Sequence, residues 1–399
     1  MSKIVVLTSR FPYPLEKGDK LRIYNQIREL SKKHEITLIS TSLSDVTGMQ
    51  LKELRKYCKY IHVFRLGILN QCINLFRCLF NGLPFEVGLF YKPSLKKHIH
   101  QLITAARPAA IYCHMIRMSE YVKEMKGIPK TLDYMDVFST GMKRRAEHSG
   151  FGMKTAALWE YQRLLKYERD VFNCFDNKLI ISEQDKFLIP HPDRSQIHVI
   201  QNGVDTEIFY PGDTEKKFDL LFTGNMGYPP NIESAIYAAT VILPEVHKNN
   251  PDATLLIAGV HPGSAIRGLA SARVHVIADF QHIRDAFAMC RINLAPMLIS
   301  IGLQNKILQA MAMKIPTICS ALANNAVKAV VGESILEANT AREYAEQINE
   351  LLNDQNKADR IAENAYVFVL ENYNWAKQNE KLEQLLFLHS MPVTASPEL

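Results

Sequence analysis

Reactions in a folded chain need groups that hold charge, move protons or present backbone amides. This sequence places such groups at a few points. His114 ends the run AAIYCHMIRM, and Asp133 and Asp136 flank the end of a similar run, LDYMD. An imidazole at a strand end can exchange hydrogen bonds with a substrate hydroxyl or serve the fold alone. Paired carboxylates there can orient an acceptor hydroxyl, or each can cap a turn. Gly18 and Asp19 open a helical stretch, where the glycine would let a phosphate approach the backbone and the aspartate serves equally well as an N-cap. Thr223, Gly224 and Asn225 follow another strand and suit close backbone approach and polar contact with a ligand. Gln304 and Asn305 start a helix near Leu303, where unpaired amides favour an anion. Lys306, one turn in, either adds a full charge to that site or is a solvated helix lysine. Lys20 and Arg22 are expected as surface charges, with a position facing the ligand cleft as the alternative for either.

These groups depend on a framework of alternating strands and helices. Strands fit Ile4–Thr8, Ile36–Ile39, Ile61–Phe64, Ala110–Cys113, Thr131–Tyr134, Leu179–Ile181 and His198–Ile200. A second set fits Leu220–Thr223, Thr254–Ala258, Val274–Ile277, Ile292–Ala295 and Thr317–Cys319. Apolar residues at Leu21, Ile23, Ile27 and Leu30 give Lys20–Lys33 helical spacing. Strands alternating with helices imply βαβ units and parallel sheets. Two doubly wound domains follow: 1–205 and 206–373. Residues 374–399 then form a helix that can return to the first domain, and a loose tail. The polar stretch Pro211–Lys217 reads as the connection between the halves. Open sheets of this kind bind ligands at the carboxyl ends of their strands.

Composition narrows the function classes. A chain of 399 residues with 47% hydrophobic and 22% charged residues is a folded protein of about two domains. Seven cysteines, at 58, 72, 78, 113, 174, 290 and 319, contain no C-x-x-C pair, which argues against a disulfide framework or a zinc site. The amino terminus is too short in apolar residues for a signal peptide, and no uncharged stretch is long enough to span a bilayer. A cytoplasmic protein is expected. No G-x-x-x-x-G-K-[ST] loop is present. Residues 51–100 carry nine Lys/Arg against two Asp/Glu, within a chain of net charge +6. The mix of Leu, Phe and basic residues across 65–100 suggests peripheral contact with an anionic membrane, against the alternative of a buried helix pair with a basic rim. No nucleic-acid-binding module is recognised.

The string QNGVDTEIFYP, Gln201 to Pro211, resembles the interdomain N-G-V-D-x-x-x-F-x-P signature of retaining glycosyltransferases of family four, which have the GT-B fold. RFPYPLEKGDKLRIYNQIREL, FTGNMGYPPN and IGLQNKILQAMAMKIPTICS look like that family's first strand–loop–helix, the opening of its second domain and its donor-binding helix. The KGDK start, LDYMDVFS and LQNKILQAMAM most resemble transferases of bacterial exopolysaccharide clusters. The resemblance implies an α/β chain of two Rossmann-like doubly wound domains facing across a cleft. It also implies a sugar transfer from a nucleotide sugar, UDP- or GDP-linked, to a saccharide or lipid-linked acceptor. Front-face attack would have the departing phosphate take the acceptor proton, with no cofactor and no metal, since no D-x-D string sits at a strand end.

Within that resemblance, His114 takes the place of a histidine that bonds the donor sugar or transition state, and Lys306 faces the pyrophosphate. Negative charge grows on that leaving group, so fixed positive charge accelerates the reaction. The family's usual basic residue after Gly224 is missing from GNMGYPPN, which leaves more to Lys306. Two glutamates usually stand eight positions apart in the donor helix; here those positions are Ile301 and Gln309. Gln309 can still bond a ribose as a neutral amide. The alternative function is a degenerate GT-B protein retained as a binding or scaffold subunit of a polysaccharide assembly complex.

Overall fold

In the computed structural model, all residues are described except 16, 148–149, 279, 300–302 and 389–399. The chain divides into two units, Met1–Gln201 joined by the helix Trp375–Phe387, and Asn202–Asn374.

The first unit is built on a parallel sheet of seven strands. They are β1 (Lys3–Thr8), β2 (Glu35–Ser42), β3 (Tyr60–Arg65), β4 (Ala110–His114), β5 (Lys130–Met135), β6 (Asn177–Ile180) and β7 (His198–Val199), in the order β3-β2-β1-β4-β5-β6-β7. The chain order reverses between β1 and β4, the switch point at which such sheets leave a crevice. Ile4 to Leu7 of β1 are fully buried, as a central strand covered on both faces requires. The helix Gly18–Ser31 follows β1 and buries Ile23, Ile27 and Leu30 against the core. Trp375–Phe387 adds Leu382 and Leu386 to the same cluster. Its partner residues Lys33 and His34 reach Glu383 at 2.8 and 3.0 Å.

The second unit has six parallel strands: β8 (Phe218–Thr223), β9 (Leu255–Ala258), β10 (Val274–Ile277), β11 (Cys290–Ala295), β12 (Thr317–Cys319) and β13 (Leu336–Glu337). Their order is β10-β9-β8-β11-β12-β13, with the switch between β8 and β11. The NGVD string belongs to this unit. Asp205 Oδ1 accepts from the Glu207 amide at 3.0 Å, and Phe209 is buried edge-on against Phe287. Pro211–Lys217 is not the connection between the units. It lies inside the second, where Lys216 Nζ donates to the Ala288 carbonyl at 2.9 Å and the Lys217 amide to Met289 at 2.8 Å.

All seven cysteines are free thiols. No described helix is long and apolar enough to cross a membrane.

Candidate functional site

Each unit places candidate groups at the carboxyl ends of its central strands. In the first, β4 delivers His114 beside the end of β1. The ring is 2% exposed, and burial pushes its pKa down to about 4, with Asp133 and Asp19 opposing and Arg22 and Arg117 reinforcing the shift. The imidazole is therefore neutral at pH 7, and its buried Nε2 has no hydrogen-bond partner. The next residue, Met115, has φ +70°, a conformation that costs a non-glycine residue about 1–3 kcal/mol. Met135, the last residue of β5, also has a positive φ, +59°. Both central strands thus end in a strained residue, which is common where a fold holds a site in shape.

Asp19 is not the N-cap. Lys17 occupies that position, and Asp19 sits inside the first turn, 2.9 Å from Arg10 Nη1. Burial would raise its pKa, but Arg10, His114 and Arg117 together hold it below the ordinary carboxylate value. Gly18 is exposed at the helix start, and a Cβ there would make only ordinary contact with Met135 Cε at 3.8 Å. The protein's own packing does not demand a glycine at that position.

Asp133 takes the turn-capping role of its two expected readings, and Arg22 requires correction. Asp133 is fully buried and does not reach an acceptor: Oδ2 takes Arg22 Nε at 2.6 Å and the Tyr112 hydroxyl at 2.7 Å, and Oδ1 takes the Met135 amide at 2.9 Å. Arg22 is no surface charge. It is wholly buried, and its Nη1 also donates to the Ile200 carbonyl at 2.8 Å. The pair ties β4, β5, the first helix and the end of the unit together. Asp136 differs: it is exposed, and its Oδ1 accepts from the adjacent Val137 amide at 2.7 Å.

Arg117 was not singled out from sequence. It is 6% exposed on the turn after β4, held by Glu86 and stacked over Phe90 and Phe138, with Nη1 buried and unpartnered. A tertiary stack of this kind leaves no periodic trace in the sequence.

In the second unit, Lys306 is buried at the second position of the helix Asn305–Ala312. Its Nζ lies 2.9 Å from Asn231 Oδ1, 3.7 Å from Met297 Sδ and 4.1 Å from the Phe222 ring centroid. No carboxylate pairs with it among the described residues, and burial alone lowers its pKa to about 7. A buried ammonium without a counter-ion is costly unless an anion arrives. Gln304 precedes the helix as its N-cap without a side-chain cap bond; Asn305 Oδ1 is buried and unpartnered. Gln309 lies four residues on from Asn305, on the same helix face, half-buried.

Thr223, Gly224 and Asn225 stand at the end of β8. Asn231 accounts for Gly224: a Cβ would lie 2.8 Å from its amide carbon. Asn231 also donates to the Asn225 carbonyl at 3.1 Å, so one side chain locks the β8 turn and presents its oxygen to Lys306. Thr223 is buried, whereas exposed Asn225 caps its own turn by accepting from the Gly227 amide at 2.9 Å. Ile301 lies outside the described residues. Among the described residues, no cluster of three or more His, Cys, Asp or Glu could hold a metal ion.

The surroundings of Lys306 predict a pH dependence. An anion held at Lys306 favours its protonated form. Affinity for a phosphodiester-type anion there should be highest below pH 7 and fall towards tenfold per unit above it. Titration calorimetry across pH 6 to 9 would show this, and a flat profile would deny Lys306 a role.

Comparison with known proteins places this arrangement. Residues 217–354 match the family model described as glycosyl transferases group 1. An uncharacterized 44.6 kDa protein in the cps region of Klebsiella pneumoniae is 24% identical, over 94% of this chain and 98% of its own. Anabaena HepE, solved with UDP and glucose, superposes with a TM-score of 0.66 at 15% identity, over 98% of this chain and all of that one. WaaG, a glycosyltransferase involved in lipopolysaccharide biosynthesis, gives 0.64 at 11% identity, over 96% and 99%. The two parallel sheets flanked by helices are those of the GT-B fold.

Proposed function

We propose that this GT-B chain, which carries a glycosyl transferases group 1 domain at 217–354, moves a sugar from a UDP- or GDP-linked donor to a saccharide or lipid-linked acceptor. The product would belong to surface polysaccharide or glycoconjugate synthesis, and the anomeric configuration would be retained. The observation that carries this reading is the buried, uncompensated Lys306 at a helix start beside the β8 turn. Lys306 and the first amides of its helix would bind the pyrophosphate. Asn305 and Gln309 have unspent or accessible polar atoms for the ribose or phosphate. The sugar C1–O bond to the phosphate breaks, a bond from the acceptor oxygen to C1 forms on the same face, and the departing phosphate oxygen takes the acceptor proton. Charge accumulating on that oxygen is what Lys306 would stabilise. Neutral His114 would donate to or accept from a sugar hydroxyl.

Two assays test this. Wild-type protein should release nucleoside diphosphate slowly from one member of a panel of UDP- and GDP-sugars. His114→Ala should lower that rate more than tenfold with nucleotide affinity nearly unchanged, the mark of a contact made in the transition state. The second reading, a scaffold subunit, draws on Gln309 and Ile301 in place of the usual glutamates. Nucleotide binding without turnover on any donor would favour it.

A peripheral membrane position is part of the proposal. The helix Ile68–Asn81 has no acidic residue and turns its apolar side outwards: Ile68, Leu69, Phe76 and Phe80 are 77%, 80%, 64% and 77% exposed, whereas Asn74 and Cys78 are buried. That is the reverse of a helix facing water. Anionic vesicles should float the protein, and Phe76→Ser with Phe80→Ser should reduce recovery severalfold. Equal recovery of wild type and variant would count against this face.

A further inference from the structure

Beneath the outward-facing helix lies a second apolar feature. A cavity of about 290 Å³ in the first unit is walled by Leu75 of that helix, Phe85 and Leu89 of the following turn, Met142, and Met153 and Ala156 of the helix Phe151–Phe172. Its charged lining residues are Glu86, Arg145 and Glu160. Glu160 is buried with its pKa raised to about 7 by burial, and its Oε1 accepts from the Glu86 amide at 3.2 Å. Glu86 itself lines the cavity and holds Arg117, the guanidinium whose charge reaches Asp19 in the first turn of the helix Gly18–Ser31 and His114 at the end of β4. The cavity therefore shares Leu75 with the outward-facing helix and Glu86 with the Arg117 ion pair.

Arg163 holds these walls in register. It donates to the carbonyls of Cys78 and Leu83 at the end of the outward-facing helix, and it stacks over Trp159 and Phe85. Cys78 fits against Gly88, where a Cβ would lie 1.9 Å from Sγ. The helix is thus fixed by its polar side, which leaves its apolar side and the cavity beside it uncovered by any described residue.

We propose that this cavity receives part of the hydrocarbon chain of a lipid-linked acceptor, whose polar head then reaches Arg117 and His114. The inference rests on the transferase reading and narrows its acceptor to the lipid-linked class. An apolar cavity continuous with an apolar exposed stripe suits a hydrocarbon chain leaving a bilayer, and the adjacent Arg117, with an unpartnered Nη1, suits a phosphate at the head of that chain.

The test uses the full chain and its own fluorophore. The sequence has two tryptophans: Trp375 is buried, and Trp159 packs on Phe85 at 5.5 Å between ring centroids. In a Trp375→Phe background, 11-bromoundecyl phosphate should quench Trp159 saturably below its micelle concentration. Farnesyl phosphate should compete, and inorganic phosphate alone should not. Ala156→Phe, at an exposed helix position lining the cavity, should weaken quenching at least tenfold without loss of cooperative unfolding. Phe76→Ser with Phe80→Ser, outside the cavity, should leave quenching intact while reducing vesicle flotation. Quenching that appears only with micelles, or that survives Ala156→Phe, overturns the proposal. So does concentration-dependent dimerisation with no quenching. Unchanged UDP or GDP binding alongside either failure would leave the donor reading standing and remove the lipid cavity alone.

Discussion

Lys306→Met should make the unliganded protein more stable and deprive it of nucleotide binding. The ammonium is buried beside Phe222 and Met297, with one amide oxygen and no carboxylate as partners. Replacing a buried charge with an apolar chain of similar shape often gains about 1–4 kcal/mol. The linkage has a definite sign. Folding lowers the Lys306 pKa from 10.5 to about 7, so the charge cost is fully present below pH 7 and is relieved as pH rises from 7 towards 10.5. The gain from Lys306→Met should accordingly be largest below pH 7. Loss of the charged contact should weaken nucleotide binding by about 1.5–3 kcal/mol. A lysine retained only for packing would give the opposite result: a lower melting temperature and unaltered binding. Thermal unfolding at pH 6.5 and pH 9 separates the two.

Asp133→Ala should cost about 3–5 kcal/mol of stability, the range for breaking a buried pair and leaving one charge uncompensated. Arg22 would then lack its carboxylate in the interior, and the Met135 amide and Tyr112 hydroxyl would each lose an acceptor. Changing both partners at once, Arg22→Met with Asp133→Leu, should cost clearly less than the sum of the single changes, because neither charge is stranded. Urea unfolding of Arg22→Met, Asp133→Leu and the double variant gives the comparison. Additive losses would mean that the ion pair is not the joint between β5 and the first helix. Neither single variant should be read as an acceptor-site mutant, since Asp133 has no free oxygen to offer.

Local pattern carried most of the framework. Buried parallel strands such as Ile4–Leu7 and Leu220–Thr223 are continuous apolar runs, and their strand ends located His114 and Thr223 within the sheets. Two-residue β13 was too short to show any pattern. The final helical stretch is broken into three by details that periodicity misses: Asp354 caps the helix Gln355–Asn372, and Tyr373 bonds back to Val204. Pro211–Lys217 looked like a linker because its composition is polar, yet long lysine stems can lie along a domain surface and donate to distant carbonyls. Arg22 was misjudged for a related reason. Its helix is buried on more than the apolar stripe, and the deciding signal was the lone aspartate in the otherwise apolar strand TLDYM, which needed a buried cation. Lys306 was legible as a helix-start lysine, but its partner Asn231 is 75 residues away in sequence, and only the fold joins them.

The central claim is that Lys306 waits for a nucleotide pyrophosphate. Titration calorimetry of UDP and GDP into wild type and Lys306→Ala at pH 6.5 addresses it most directly. One nucleotide should bind wild type saturably and bind the variant at least tenfold more weakly, with both proteins equally folded. Equal affinity for wild type and variant, or no binding of either nucleotide to wild type, would contradict the assignment.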